Sequence, residues 1–178
     1  MNDISAFVVR WLCHDLATPI ASVMTASELL DDDTPDAEIN ELIQSGALRL
    51  TGRLRLVRLA LGAGESVLAG AALGKLVVGG LDTTPVEWGF DCDATDGMAP
   101  LVAGCVMLTA DLNRTRGIIV TEDGVEVPLG CNWPESVAAV FGGAPATDNR
   151  SAVAELMMRA AARAEKQLVC DTNGLRWG

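Results

Sequence analysis

Leu12-Cys13-His14-Asp15-Leu16-Ala17-Thr18-Pro19 contains the only histidine in a chain of 178 residues. Imidazole chemistry near neutral pH has no other place to occur in this sequence. On a helix turning 100° per residue, Leu12, Leu16, Ile20, Val23 and Leu30 fall within a stripe roughly 80° wide, with His14 about opposite its middle. His14 is therefore expected to point outward, beside Phe7, Thr18, Ala21 and Thr25. That mixture of small, hydroxylic and apolar side chains suits the docking of another protein against an accessible imidazole.

The helical pattern around this stretch runs from about Ile4 to Leu30 and is interrupted only by Pro19, which removes one backbone donor and is expected to bend the helix. Its length corresponds to a rod of roughly 40 Å. Asp31-Asp32-Asp33-Thr34-Pro35 ends it, with Thr34 or Asp36 as caps and Pro35 in the first turn of the next helix, which gives a short hairpin. The second helix is expected from about Asp36 to Ala60, with Ile39, Ile43, Ala47, Leu50, Leu54, Val57 and Leu61 on one stripe. Leu48, Leu56 and Leu59 lie off that stripe. Two antiparallel helices cover only one face of each other, so a second hairpin from another copy would complete a four-helix bundle and make a homodimer. The alternative is that the rest of the same chain covers this surface.

Gly62, Gly64 and Gly70 mark a change of composition, and the chain divides into a hairpin, residues 1–63, and a second unit, residues 64–178. In the second unit the signals alternate. A helix is expected from Ser66 to Val78, a strand from Val86 to Cys92, and a helix from Pro100 to Asn113. A hairpin follows, Gly117 to Thr121 and Val125 to Leu129, joined by Glu122-Asp123-Gly124. A short helix near Pro134 to Val140, a longer one from Asn149 to Lys166 and a last strand from Gln167 to Thr172 complete an α/β sandwich with helices on one face of a mixed sheet. The fold class is thus α+β.

Composition limits the partners. Half of the residues are apolar, and a chain of this length buries roughly 70% of its extended surface, so a real core is expected. The net charge of −11 and pI near 4.4 argue against nucleic acid or an anionic membrane as the main partner. Cys13, Cys92, Cys105, Cys131 and Cys170 are odd in number, unevenly spaced and without a C-x-x-C pair, and read as reduced cytoplasmic thiols. The apolar runs Val67 to Leu81 and Met98 to Ala110 are too short to span a membrane, and the N-terminus has no signal-peptide pattern. The Asn-x-Ser/Thr matches at Asn113 and Asn149 read as chance in such a protein.

His14-Asp15-Leu16-Ala17-Thr18-Pro19 resembles the H-box of sensor histidine kinases: His, an acid, two variable residues, Thr or Asn, then Pro, on the first helix of a dimeric hairpin. The wider pattern adds Leu12-Cys13, Glu28-Leu29-Leu30 and Arg58-Leu59-Ala60-Leu61-Gly62-Ala63. It resembles the ChpT family of alphaproteobacterial histidine phosphotransferases over residues 1 to about 63. Over the second unit that resemblance rests on element order and length. It implies a dimeric four-helix bundle followed by a degenerate ATPase-like domain of the histidine-kinase type. The sequence agrees with loss of the nucleotide: no Asp-x-Gly-x-Gly or Gly-x-Gly-x-Gly occurs, and the helix from Pro100 has its only Asn at its end. Gly62-Ala63-Gly64 continues with Glu65, and Gly74-Lys75 is followed by Leu76 where a metal-binding hydroxyl would stand.

A neutral imidazole is a competent nucleophile. The resemblance implies a phosphoryl group passing from an aspartyl phosphate on the receiver domain of a hybrid histidine kinase to His14, then to the aspartate of a response regulator. The receiver would hold the magnesium, and no cofactor or metal is expected in this chain. Asp15, about 100° around the helix from His14, either flanks the imidazole or is a solvated acid. Thr18, one turn on, either positions a hydrolytic water or bonds back to the helix carbonyl freed by Pro19. Cys13 diverges from His14 on a helix and is not read as a thiol nucleophile. Arg49 and Arg53 share an edge of the second helix, which carries four of the 13 basic residues within ten positions. They either meet the acidic rim of a receiver or pair with acids of this protein. Phe7 and Trp11 are either docking contacts or dimer packing, and Ala21 belongs to the docking surface. A histidine kinase with an unusual nucleotide domain and a non-catalytic signalling scaffold are the alternatives to phosphotransfer.

Overall fold

The structure, a computed structural model, describes residues 4–29, 37–64, 67–81, 83–95, 97–113 and 116–178. The hairpin turn expected at 31–36, Leu30 of the first stripe and the expected helix start at Ser66 lie outside the described residues. Two long helices open the chain, α1 (Ile4–Glu28, with Pro19 inside) and α2 (Ala37–Ala60). They run antiparallel: Asp15 meets Arg53 near the base, and Gly46 leaves room for Val23 farther out. Beyond them come α3 (Gly70–Gly80), β1 (Val86–Trp88), α4 (Met98–Leu112), β2 (Ile118–Thr121), β3 (Gly124–Glu126), α5 (Glu135–Phe141), α6 (Asn149–Arg163), β4 (Leu168–Asp171) and β5 (Gly174–Trp177). The described residues therefore form a mixed α+β fold of six helices and one five-stranded sheet.

The strand order is β1-β2-β3-β5-β4. β1 runs parallel to β2, with Val86 opposite Ile118, because the intervening α4 carries the chain back across the sheet. The other pairs are antiparallel, with Val120 opposite Val125, Val125 opposite Leu175 and Cys170 opposite Leu175. Helices α4, α5 and α6 pack on one face of this sheet. A tight turn stands where one is expected, but its loop is Glu122-Asp123 alone: Gly124 is already the first residue of β3, paired with Thr121. β5 is a correction to the sequence reading, which ends its strands with β4. β5 lies between β3 and β4, and at its start a Cβ on Gly174 would fall on the Val125 carbonyl. Other boundaries shift by a few residues: α3 starts at Gly70, β1 stops at Trp88, β3 stops before Pro128, which has no N–H for the ladder, and α6 stops at Arg163.

One core runs through both parts of the chain. It includes Trp11 from α1, Leu56, Val57, Leu59 and Ala60 from α2, Leu73 and Val77 from α3, the length of α4 from Leu101 to Ala110, and the inward strand residues Val120, Val125 and Leu175. α4 is apolar nearly all round because it lies between the sheet on one side and α2 and α6 on the other. At the crossing of α2 and α3 the backbones touch. A Cβ on Gly52 would fall on the Gly79 carbonyl, and one on Gly80 would lie 2.7 Å from the Leu56 Cβ.

This core corrects the argument from the extra leucines. Leu56 and Leu59 are buried by the second part of the same chain, the alternative the sequence left open, while Leu48 is 73% exposed. Ile20, placed on the buried stripe by periodicity, is 42% exposed, and Val9, Met24, Leu29, Leu42 and Leu54 are also exposed along the hairpin.

Candidate functional site

His14 is exposed on α1, as its phase against the apolar stripe predicts, and Thr18, Ala21 and Thr25 are exposed with it. Phe7 is half-buried against the core, and Trp11 is buried in it. The sequence offers these two aromatics as docking or dimer contacts. The structure instead uses Trp11 as the apolar foot of α1, because α6 packs against the base of this helix and covers it.

His14 stands at the mouth of a cleft of about 270 Å³ between the hairpin and the second part of the chain. From α1 the cleft is lined by His14, Asp15, Thr18, Pro19 and Ser22, and from α2 by Gly46, Arg49 and Arg53. The opposite wall comes from the end of α3 and the segment after it, Gly80, Leu81, Thr83 and Thr84, and from the end of α4, Ala110 and Asp111. The Gly52 and Gly80 contact is what brings the end of α3 to the level of His14. Ser22 donates to the Thr18 carbonyl at 3.1 Å, and the Thr18 side chain stays exposed.

The floor of the cleft is an ion cluster joining three helices. The Arg53 Nε and Nη2 donate to the two oxygens of Asp15, both at 2.6 Å, and Nη2 also reaches the Asp111 Oδ1 at 3.2 Å. The Asp15 and Arg53 side chains are only 10% and 12% exposed, so this is a fork-to-fork pair largely removed from water. Burial alone would lower the Arg53 pKa, but the Asp15 hydrogen bonds and the charges of Asp111 and Asp15 outweigh it and hold the guanidinium above its usual value. Asp15 therefore neither flanks the imidazole as a free carboxylate nor lies in open solvent. Of the two roles offered by sequence for Arg53, pairing within this protein describes its position. Arg49, one turn away on the same face of α2, is exposed in the cleft.

Sequence reasoning missed Asp111. It is the only charged side chain of α4, a helix otherwise made of apolar and small residues, and that isolation was the available signal. The motif-like residues elsewhere have structural places. Gly74 lies inside α3, where a Cβ would come 2.8 Å from the Trp88 Nε1, so Gly74-Lys75 belongs to a helix and not to a loop. The Asn113 Nδ2 donates to the Thr109 carbonyl at 2.9 Å and contacts the Cys131 Sγ at 3.2 Å, which engages that buried amide in closing α4. No described helix is long and apolar enough to cross a membrane.

Comparison with known proteins gives two similarities. No protein-family model matches the chain. A stretch of 64 residues, 36% of the chain, is 33% identical to the protein phosphotransferase ChpT of Brucella abortus (strain 2308). That stretch spans 31% of the curated relative's length. The structure of a bacterial phosphotransferase superposes with a TM-score of 0.75, covering 98% of this chain and 94% of the other at 18% identity, which shows a shared fold. The local sequence similarity and the shared fold both lead to proteins named as phosphotransferases.

Proposed function

We propose that this protein is a histidine phosphotransferase of a two-component phosphorelay, carrying a phosphoryl group between receiver-domain aspartates through phospho-His14. The observation that carries the reading is the position of the chain's only histidine, exposed on a long helix at the mouth of a cleft between the hairpin and the second part of the chain. A docking partner reaches this exposed side chain directly. The imidazole nitrogen attacks the phosphorus of an aspartyl phosphate, an N–P bond forms, the P–O bond breaks and the receiver carboxylate leaves with the electron pair. The ring then loses its N–H proton to solvent, and the reverse sequence on a second receiver completes the relay. The donor is the receiver of a hybrid histidine kinase and the acceptors are response regulators, each supplying its own magnesium.

In this reading residues 1–63 are the transfer and pairing unit, and residues 64–178 are a degenerate ATPase-like domain that forms one wall of the docking cleft without nucleotide. Thr18, Ala21 and Arg49 line or border the receiver's approach. The exposed Val9, Ile20 and Met24 share one face of α1 and support pairing of two hairpins into a four-helix bundle. The protein works in the cytoplasm, where its thiols stay reduced.

The test is incubation with radiolabelled ATP, first alone and then with a hybrid kinase and its receiver. Label that arrives only through the receiver, is lost in acid and survives base, and is absent from His14→Ala supports the reading. Label on His14→Ala would refute it, and label from ATP alone would make the chain a kinase.

A further inference from the structure

The cleft at His14 has to accept a dianionic phosphoryl group, yet two carboxylates, Asp15 and Asp111, line it. Asp15 is the next residue after His14, and Asp111 comes from α4, 58 residues along the chain from Arg53. Unpaired, two carboxylates would repel both the incoming phosphoryl group and the phospho-imidazole, and their partial burial weakens screening by solvent. Arg53 lies between them and spends its guanidinium on both, leaving one net negative charge in place of two.

We propose that Arg53 is a positioning residue for phosphoryl transfer, offsetting the charge of the Asp15 and Asp111 pair in the cleft that His14 lines. The inference rests on the phosphotransfer reading and deepens it. Three helices meet at this one side chain, so the second part of the chain acts on His14 through a specific contact. The fork lets one cation serve both acids: Arg53 offers Nε and Nη2 to two oxygens of Asp15 while the same Nη2 reaches Asp111, and an ammonium cannot reproduce that planar arrangement. The role is one of charge, which makes it separable from structural support.

The experiment measures the rate at which the full-length protein takes label from a phosphorylated receiver domain, at low and at high salt, for wild type, Arg53→Met, Asp111→Asn and the triple variant D15N/R53M/D111N. Circular dichroism and gel filtration verify that each is folded. Arg53→Met is expected to accept label about tenfold more slowly at low salt, with part of the loss recovered at high salt. The triple variant, which removes the cation and both anionic charges together, is expected within about threefold of wild type. A purely structural ion pair predicts the opposite, since the triple variant has no pair to hold the helices. Arg53→Met as fast as wild type, or a folded triple variant as slow as Arg53→Met, overturns the inference. If Arg53→Met does not fold, Asp111→Asn carries the test: it keeps the Asp15 fork and removes a negative charge, so transfer equal to or faster than wild type supports the proposal, and a tenfold loss in the folded protein overturns it. A wild-type chain that takes no label removes the phosphotransfer reading and the inference together, whereas a labelled wild type with an unimpaired Arg53→Met removes the inference alone.

Discussion

α1 and α4 are both apolar helices without charged residues over most of their length, yet they occupy opposite environments. In α4 every residue from Leu101 to Ala110 is buried, enclosed by the sheet, α2 and α6. In the longer α1 only Trp11 and Ala26 are buried, and apolar side chains such as Val9 and Met24 lie more than half exposed. A buried helix of this kind holds a fold together, while a helix left uncovered presents a surface. The protein puts its only histidine on the second and links it to the last turn of the first indirectly, since Asp111 holds Arg53 of α2 and Arg53 holds Asp15, the residue after His14.

The contrast breaks first where packing is densest. Leu101→Ala on α4 removes a fully buried side chain and is expected to cost about 4 kcal/mol in urea unfolding. A loss below about 1 kcal/mol would mean that α4 is not the enclosed helix described here. Next in size is the junction between the two environments. Gly80→Val inserts a branched side chain where α3 meets Leu56 and the Gly52 carbonyl, and is expected to cost about 3 kcal/mol and to widen the cleft. Hydrogen exchange should then rise in α3 and at the base of α2 before it rises in the sheet.

The difference between the two helices also explains what could be read in advance. The phase of His14 follows from 3.6-residue periodicity along one helix, so its exposure was legible, as were the place of the tight turn after β2 and the order of elements up to β4. Leu56 and Leu59 were recognisable as apolar, but periodicity says that a face is covered and not which part of which chain covers it. The partnership of Arg53 with Asp111 was illegible for the same reason, since two residues 58 apart meet only through the packing of α2 on α4. β5 has only a weak signature in the sequence. Thr172-Asn173, the two-residue loop between Asp171 and Gly174, lies in a turn-prone stretch, but the strand after it is four residues long and too short to show an alternation of its own.

A smaller effect sharpens the comparison at α6, which packs both α4 and the base of α1. Its N-cap Asp148 accepts from the Ser151 N–H at 2.8 Å, while the Ser151 hydroxyl accepts from the Asp148 N–H at 2.9 Å. Burial would raise the Asp148 pKa, but bonds from the Ser151 and Arg150 backbone and the Ser136 and Ser151 side chains outweigh it, so the carboxyl lies below the usual range. A depressed folded pKa means stability that is fully present above the ordinary aspartate value and lost as pH falls through the lower one. Asp148→Ala is expected to cost about 1 kcal/mol near neutral pH. Its difference from wild type should shrink below about pH 4, and a difference independent of pH from 7 to 3 would show that the cap's charge contributes nothing.

The smallest effect on the fold of a single chain belongs to the exposed side of α1, and it decides what that side is for. Ile20→Ser with Met24→Ser removes two side chains that are 42% and 58% exposed and have little to lose in the isolated chain. Its intrinsic stability should change by about 0.5 kcal/mol or less. If the hairpins pair through this face, the same side chains are buried between two copies, and the wild-type unfolding midpoint must rise with protein concentration because association draws on the folded state alone. The double variant should lose that dependence and sediment as a monomer. A wild type whose midpoint is independent of concentration and which sediments as a monomer would mean that this face waits for a different partner. His14 lies about 120° around α1 from Ile20, so pairing through one side of the helix leaves the imidazole open on the other. The double variant should therefore still take label from a receiver, whereas loss of both pairing and transfer would show that the docking surface is built from two chains.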